Sequence, residues 1–208
     1  MIEKIVNKIM EKIIEKNPNV KGVKKDAIWF GLMMLFDEVP KFILMCLITY
    51  FLGILRYTLI SFGSIFLYRA FSGGFHLRSQ IGCFSMSMLL FVGNPIIGKY
   101  IIWPNEIFKY IIFVVIWIFN MVMIYKYAPA DTEDVPIVSK SQRNRQKIIS
   151  FVMMNLVFIA GIFITDVTIS NILIFGTLIQ SFCISRVAYK IFNNKYGHEV
   201  YKEEFATV

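Results

Sequence analysis

Between residues 69 and 83 the chain reads Arg-Ala-Phe-Ser-Gly-Gly-Phe-His-Leu-Arg-Ser-Gln-Ile-Gly-Cys, a polar, glycine-bearing interruption between two apolar runs. Its reactive side chains are His76 and Cys83. A thiolate is a nucleophile and an imidazole can carry its proton, so one His followed by one Cys is a minimal nucleophile–base pair. Gly73-Gly74 permits close backbone approach and positive φ. The same residues also fit a plainer role, a hydrogen-bonded structural histidine followed by an inert cysteine at a helix start.

Geometry constrains how the pair can cooperate. In a continuous helix seven residues rise about 10.5 Å, whereas proton transfer needs about 2.6–3.2 Å, or one intervening water. Cooperation therefore requires the chain to fold back between residues 76 and 83. Ser79 fits an N-cap, so a new helix beginning there would carry Cys83 in its first turn, where the helix dipole favours a thiolate. Arg78 would add positive potential. Zinc is disfavoured, because closed sites take about four ligands and only His76, Cys83 and the distant His198 are at hand. No metal and no cofactor are expected. Asp37 and Glu38 either orient His76 or mark a membrane boundary.

The elements that must position these residues are apolar. Hydrophobic residues make up 57% of the 208-residue chain and charged residues 17%, against about 25% charged in soluble domains; mean hydropathy is +0.62. The net charge of +8 gathers in three clusters, Lys4–Lys25, Lys126–Lys147 and Arg186–Lys202. Each abuts an apolar run, as cytoplasmic loops do under the positive-inside rule, which argues against nucleic-acid binding. Three cysteines are too few for a disulfide scaffold. Cys46 and Cys183 lie in apolar runs and read as buried hydrophobes. No cleavable signal peptide is evident.

The pattern predicts an all-α polytopic membrane bundle of four to six transmembrane helices, six preferred. Residues 2–16 place Ile2, Ile5, Val6, Ile9 and Ile13 on one face and Lys4, Lys8, Lys12 and Lys16 on another, the form of an interfacial amphipathic helix on membrane lipid. Asn17-Pro18-Asn19 should end it. Spans are expected at Ile81–Trp103, Ile107–Tyr125, Ile148–Thr165 and Val167–Tyr189, with a kink at Asn94-Pro95. The 27–68 region carries Asp37, Glu38, Pro40, Lys41 and Arg56. It fits two spans turning near Arg56, because a charge at the bilayer centre costs about 2.5–3.5 kcal/mol. The organisation is then an interfacial helix over 1–26 and one transmembrane domain over 27–208, with a cytoplasmic loop at 126–147. Both termini and the 69–83 stretch face the cytoplasm.

Arg69-x3-Gly73-Gly74-x-His76-x6-Cys83, after a Lys-rich N-terminus and apolar segments, resembles the accessory gene regulator B family of membrane-embedded cysteine endopeptidases in Gram-positive quorum sensing. Tyr127-Ala128-Pro129-Ala130, Pro136 and the basic residues that follow resemble the family's cytoplasmic loop. The resemblance implies cleavage of the C-terminal region from a short pro-peptide and cyclisation of the remainder. Cys83 would be nucleophile and His76 base and acid, with Arg69, Gly73 and Gly74 in support and backbone N–H groups near Gly73-Gly74 as oxyanion donors. Lys140, Arg143, Arg145 and Lys147 would hold an acidic tail of the precursor, beyond a short acidic patch at Asp131, Glu133 and Asp134. The resemblance also suggests a homodimer. The competing class is a small transporter or peptide exporter, which needs intramembrane polar residues along a path; Asp37, Glu38, Asn94 and Asn120 are its candidates. A non-enzymatic membrane scaffold is the third reading, in which Cys83 is dispensable.

Overall fold

The computed structural model describes residues 2–17, 20–77, 79–133, 135–137 and 139–201. Arg78, Asp134 and the Pro18-Asn19 helix stop fall outside the described residues. The fold is all-α. Its compact units are Met1–Gly53 and Ile54–Val208.

The first unit holds α1 (Ile2–Lys16) packed on α2 (Val23–Phe51). In α1 the expected faces separate: Val6 and Met10 are buried, and Lys4, Lys8, Lys12 and Lys16 are exposed. Ile5, placed on the apolar face, is 44% exposed. Trp29 Nε1 donates to Asn7 Oδ1 at 2.8 Å, joining the two helices. The expected division between residues 26 and 27 lies inside α2, which runs unbroken through Pro40. Lys41 faces Asp37 at 2.5 Å and Glu38 at 3.1 Å, one turn back on α2. That spacing is the stabilising one for opposite charges on a helix.

The second unit contains α3 (Leu55–Ser72), α4 (Gln80–Tyr100), α5 (Glu106–Tyr127), α6 (Lys140–Phe163) and α7 (Val167–Cys183). The short α8 (Arg186–Ile191) and α9 (Gly197–Val200) follow. The turn before α3 is Leu52-Gly53-Ile54, with Gly53 at φ +70°, so Arg56 sits in the first turn of α3. Helix starts follow capping chemistry. Ser79, Asn105, Ser139, Asp166 and Ser185 each accept from the backbone N–H three residues on, at 3.0, 2.8, 3.4, 3.1 and 3.2 Å.

Those caps correct two expected boundaries. The expected span beginning at Ile148 starts instead at Lys140, because Ser139 caps a helix whose first two turns are polar, and the loop shrinks to 128–139. The expected Val167–Tyr189 span stops at Cys183, because Ser185 caps a separate helix.

α7 packs against α3, α4, α5 and α6 and is the centre of the bundle. It is also the most polar interior element. Asn171 donates to Gly98 O at 3.0 Å and accepts from Trp103 Nε1 at 2.8 Å. Asn94 reaches Ile172 O at 2.9 Å and Ser61 Oγ at 3.0 Å, and Asn120 donates to Thr177 Oγ1 at 2.8 Å. The outer faces are apolar: Val115, Ile118 and Val122 on α5 and Val152, Leu156 and Phe163 on α6 are exposed. Hydrogen-bonded polar groups set in the apolar interior, beneath an apolar exterior, suit lipid as solvent, where interhelical hydrogen bonds and close packing hold helices together. Among the described residues three helices, α4, α5 and α6, are long and apolar enough to cross a membrane, and α7 is a shorter apolar helix.

Gly161 marks a close approach of α6 to α7. A Cβ there would lie 2.9 Å from Ile174 Cδ1 and 3.2 Å from Leu173 Cβ. Gly161→Val should therefore destabilise the bundle by about 1–3 kcal/mol through overpacking, read as a lowered thermal midpoint in detergent. A midpoint equal to the wild type's would contradict this packing.

Candidate active site

The stretch singled out by its chemistry lies between α3 and α4. α3 ends at Ser72, with Gly73 at φ +71° and Gly74 at φ +141°, a region open chiefly to glycine. α4 begins at Gln80 behind its Ser79 cap, and the Cys83 N–H donates to Ser79 O at 2.9 Å. His76 thus precedes the Ser79 cap, and Cys83 is the fourth residue of a new helix. His76 is exposed and Cys83 half-buried.

Neighbouring elements take up the backbone of this loop almost atom by atom. Ala130 N–H donates to Ser72 O at 2.8 Å, and Gly74 N–H donates to Ala130 O at 2.9 Å, a short parallel bridge. A Cβ on Gly73 would lie 2.3 Å from Ala130 O, so only glycine fits. Gln180 of α7 donates to Ser72 Oγ at 2.9 Å and Gly73 O at 2.7 Å. Phe75 N–H reaches Cys183 O at 3.4 Å. Arg69 Nη2 donates to Phe75 O at 2.6 Å, and its Nη1 reaches Gln180 Oε1 at 3.4 Å. Asn194, beyond α8, brackets the His76 peptide: its Oδ1 accepts from His76 N–H at 3.1 Å and its Nδ2 donates to His76 O at 2.9 Å.

The glycine N–H groups expected to serve as oxyanion donors are committed elsewhere. Gly73 N–H closes the end of α3 on Arg69 O at 3.0 Å and Gly74 N–H goes to Ala130. Both glycines serve the close approach to Ala130 and Arg69 instead.

Of the four basic residues expected to act together, all on α6, two are engaged by neighbouring groups. Lys140 and Arg145 are exposed. Arg143 pairs with Asp131 at 3.0 Å and donates to Pro129 O at 3.2 Å. Lys147 donates to Tyr125 O at 2.6 Å and lies 4.9 Å from the centre of the Tyr125 ring. Of the acidic patch, Asp131 is fully buried at its side chain, and Glu133 O accepts from Tyr201 Oη at 3.3 Å.

Asp131 ties the loop to the C-terminal segment. Its Oδ1 lies 3.1 Å from His198 Nδ1, and its Oδ2 accepts from the Ile137 N–H at 3.1 Å. The same His198 nitrogen lies 3.2 Å from Arg143 Nη2. A guanidinium only donates and a carboxylate only accepts, so one ring nitrogen serves one of them; we place its proton toward the shorter, anionic partner. Burial pushes the Asp131 carboxyl up, but hydrogen bonds from His198, Ile137 and Arg143, with the Arg143 charge, outweigh it and hold the group below its usual range.

Sequence reasoning singled out Arg69, Gly73, Gly74, His76 and Cys83; the structure places Arg69 in the last turn of α3, Gly73, Gly74 and His76 in the loop after it, and Cys83 in α4. Sequence reasoning missed Gln180, Ala130 and Asn194. A glutamine inside an apolar run was the available signal for Gln180. Asn193-Asn194 after the apolar Val187–Phe192 stretch was a stop signal that went unread.

A family model for accessory gene regulator B matches residues 2–184. The chain belongs to the accessory gene regulator B family. An AgrB-like protein of Clostridium acetobutylicum is 25% identical over 195 residues, covering 90% of this chain and 91% of its own. Accessory gene regulator protein B of Staphylococcus aureus strain MW2 is 23% identical over 176 residues, 85% of this chain and 90% of its own. An AgrB-like protein of Listeria monocytogenes is 26% identical over 178 residues, 83% of each chain. No solved structure matches. Family membership places the chain in the accessory gene regulator system, and the matched region contains the entire 69–83 stretch but stops short of Asn194 and His198.

The Asp131 arrangement predicts a specific pH dependence. A carboxyl lowered on folding contributes stability that is fully present above its ordinary value of about 3.9 and is lost only as pH falls through the lowered one. Asp131→Asn should cost on the order of 3 kcal/mol at pH 7 by leaving Arg143 without its counter-charge. The deficit, followed by thermal unfolding in detergent, should shrink only in the acid range below pH ~4. A variant as stable as the wild type at pH 7 would contradict it.

Proposed function

We propose that this protein is a membrane-embedded cysteine endopeptidase of quorum sensing. It cleaves the C-terminal part from an autoinducing pro-peptide and promotes closure of the remainder into a lactone or thiolactone ring. The observation that carries the reading is the helix break: a histidine on a backbone-clamped loop leads directly into a helix whose first turns carry the cysteine. Membership of the accessory gene regulator B family supports the same reaction.

The residues divide the chemistry as follows. Cys83, as thiolate favoured by the amino end of α4, attacks the scissile carbonyl. His76 gives a proton to the departing amine, and a thioester joins the N-terminal part of the precursor to Cys83. A thiol or hydroxyl within that part then attacks the thioester. His76 takes its proton, the ring closes and the Cys83 thiolate leaves. Exchange of one thioester for another is nearly balanced, so water must be kept from the acyl-enzyme; a site at the end of an apolar bundle provides that exclusion. Arg69, Gly73 and Gly74 act by holding the loop, and Lys140 and Arg145, exposed on the first two turns of α6, are the basic residues placed to receive an acidic tail.

In this reading the chain is a multi-pass cell-membrane protein, one transmembrane peptidase domain behind an interfacial α1. Its termini, the 128–139 loop and the active site face the cytoplasm, in line with the distribution of basic residues. A second copy of the chain is a partner. The transporter reading is weakened at its own candidates: Asn94 and Asn120 are 1% and 0% exposed and tie α4 and α5 to α7.

Purified protein in lipid vesicles, given the pro-peptide encoded beside its gene, should release the C-terminal fragment. Cys83→Ala and His76→Ala should reduce that release to background. Neutralising Lys140 and Arg145 together should raise KM more than it lowers kcat. Processing by Cys83→Ala at the wild-type rate would overturn the assignment.

A further inference from the structure

The C-terminal segment after α7 lies almost wholly beyond the residues that the family model matches, yet it is built into the candidate active site. α8 ends in a Schellman turn. The Asn194 N–H bonds to Tyr189 O at 2.8 Å and the Asn193 N–H to Lys190 O at 3.3 Å, with Asn193 at φ +52°. This is the six-to-one and five-to-two pattern that closes helices, with asparagine in the left-handed position that glycine usually fills. The turn fixes where the next side chain goes. Asn194 Nδ2 also donates to Phe192 O at 2.9 Å, so the amide is held by its own segment before it meets His76. Beside it the Phe192 ring stacks on Phe75, centroids 4.1 Å apart and planes 17° from parallel. Two successive loop residues, Phe75 and His76, are thus each engaged by a residue of this one turn.

The turn is itself anchored. Tyr189 Oη donates to Ala130 O at 2.8 Å and to Asp131 O at 3.2 Å. Tyr196 stacks on Tyr189 at 4.1 Å and donates to Ile184 O at 2.8 Å. Gly197 approaches Asp131 so closely that a Cβ would lie 2.7 Å from both Asp131 Oδ2 and Thr132 O. Arg186 and Glu199 form an ion pair across the segment. Ala130, which holds Gly73 and Gly74 from one side, therefore also supports the element that holds His76 from the other.

We propose that Asn194 is a positioning residue for the reaction assigned above: its side-chain amide, bonded to both polar groups of the His76 peptide, fixes the backbone from which the imidazole reaches Cys83. This rests on the peptidase–cyclase reading. An amide that accepts from the N–H and donates to the C=O of one residue acts as a short piece of β-ladder, fixing the orientation of the two peptides that flank that residue. Neither bond uses an imidazole nitrogen. Its contribution is to orientation, where a displacement of about 1 Å costs about a hundredfold in rate.

The test compares wild type with Asn194→Ala, Asn194→Asp and Cys83→Ala in vesicles, with the pro-peptide as substrate. Asn194→Ala should lower kcat by about 10–100-fold with KM changed less than about twofold, since Asn194 acts through His76 rather than on the precursor. Asn194→Asp keeps an acceptor for the His76 N–H but loses the donor to His76 O, and should be intermediate. Hydrogen exchange of the 74–77 amides should quicken in Asn194→Ala while α7 stays protected. If Asn194→Ala does not fold, the near-isosteric Asn194→Asp carries the test, with a lowered kcat at unchanged KM expected. Wild-type kcat, or unchanged exchange at 74–77, in whichever variant folds overturns the proposal. Processing by Cys83→Ala overturns the underlying functional reading instead, so the two failures are distinguishable.

Discussion

Five residues of irregular backbone, 73–77, sit at the end of an apolar helical bundle, and every buried peptide group there needs a hydrogen-bond partner. That requirement organises the second unit. Ser72 O and Gly74 N–H are met by Ala130, Gly73 O by Gln180, Phe75 N–H by Cys183 O and Phe75 O by Arg69, and the exposed His76 groups are met by Asn194 as well. Partners come from the end of α3, the 128–132 loop, the end of α7 and the turn after α8. Each supplies one or two bonds. The loop is consequently held by the bundle as a whole, which is how a glycine-rich connection can carry reactive groups in fixed positions.

The same demand explains the character of α7. In water a core helix would be apolar throughout; here Ser170, Asn171, Thr177, Gln180 and Ser181 are all buried. Each of the five is placed against another element or another backbone group: Asn171 on α4, Thr177 on α5, Gln180 on the reactive loop, Ser181 on Tyr68 at 3.0 Å and Ser170 on Gly161 O at 2.6 Å. With lipid outside, burial of apolar surface does not separate inside from outside, so polar contacts and small residues set the register. Gly98 and Gly161 provide the close approaches, each leaving room for α7 where a Cβ would be within 3 Å of an isoleucine side chain.

Much of this was legible in the sequence. The apolar runs, the two-part reading of 27–68 and the Ser79 cap all follow from composition and capping chemistry, and the His76–Cys83 break follows from the cap. The boundaries that differed did so for local reasons. Lys140–Lys147 reads as loop by polarity but is helical behind Ser139, and residues 184–189 read as span by polarity but are divided by Ser185. The C-terminal segment was opaque for another reason. Its importance lies in bonds across more than a hundred residues of sequence, from Asn194 to His76, which no periodicity records, and the bond from Gln180 of α7 to Gly73 was hidden in the same way. Asp131 was similarly hidden: the sequence shows it only as part of a short acidic patch, yet its side chain is buried beside His198 and Arg143.

The central claim is that Cys83 carries the precursor as a thioester before the ring closes. The most direct measurement replaces the ring-closing thiol or hydroxyl residue of the pro-peptide with alanine, so that cleavage can proceed but cyclisation cannot. Intact mass spectrometry of the reconstituted protein should then show a covalent adduct of the N-terminal fragment. It should map to Cys83, be released by hydroxylamine and be absent from Cys83→Ala. Release of the C-terminal fragment with no adduct on the protein, or an adduct at Cys46 or Cys183, would contradict the account.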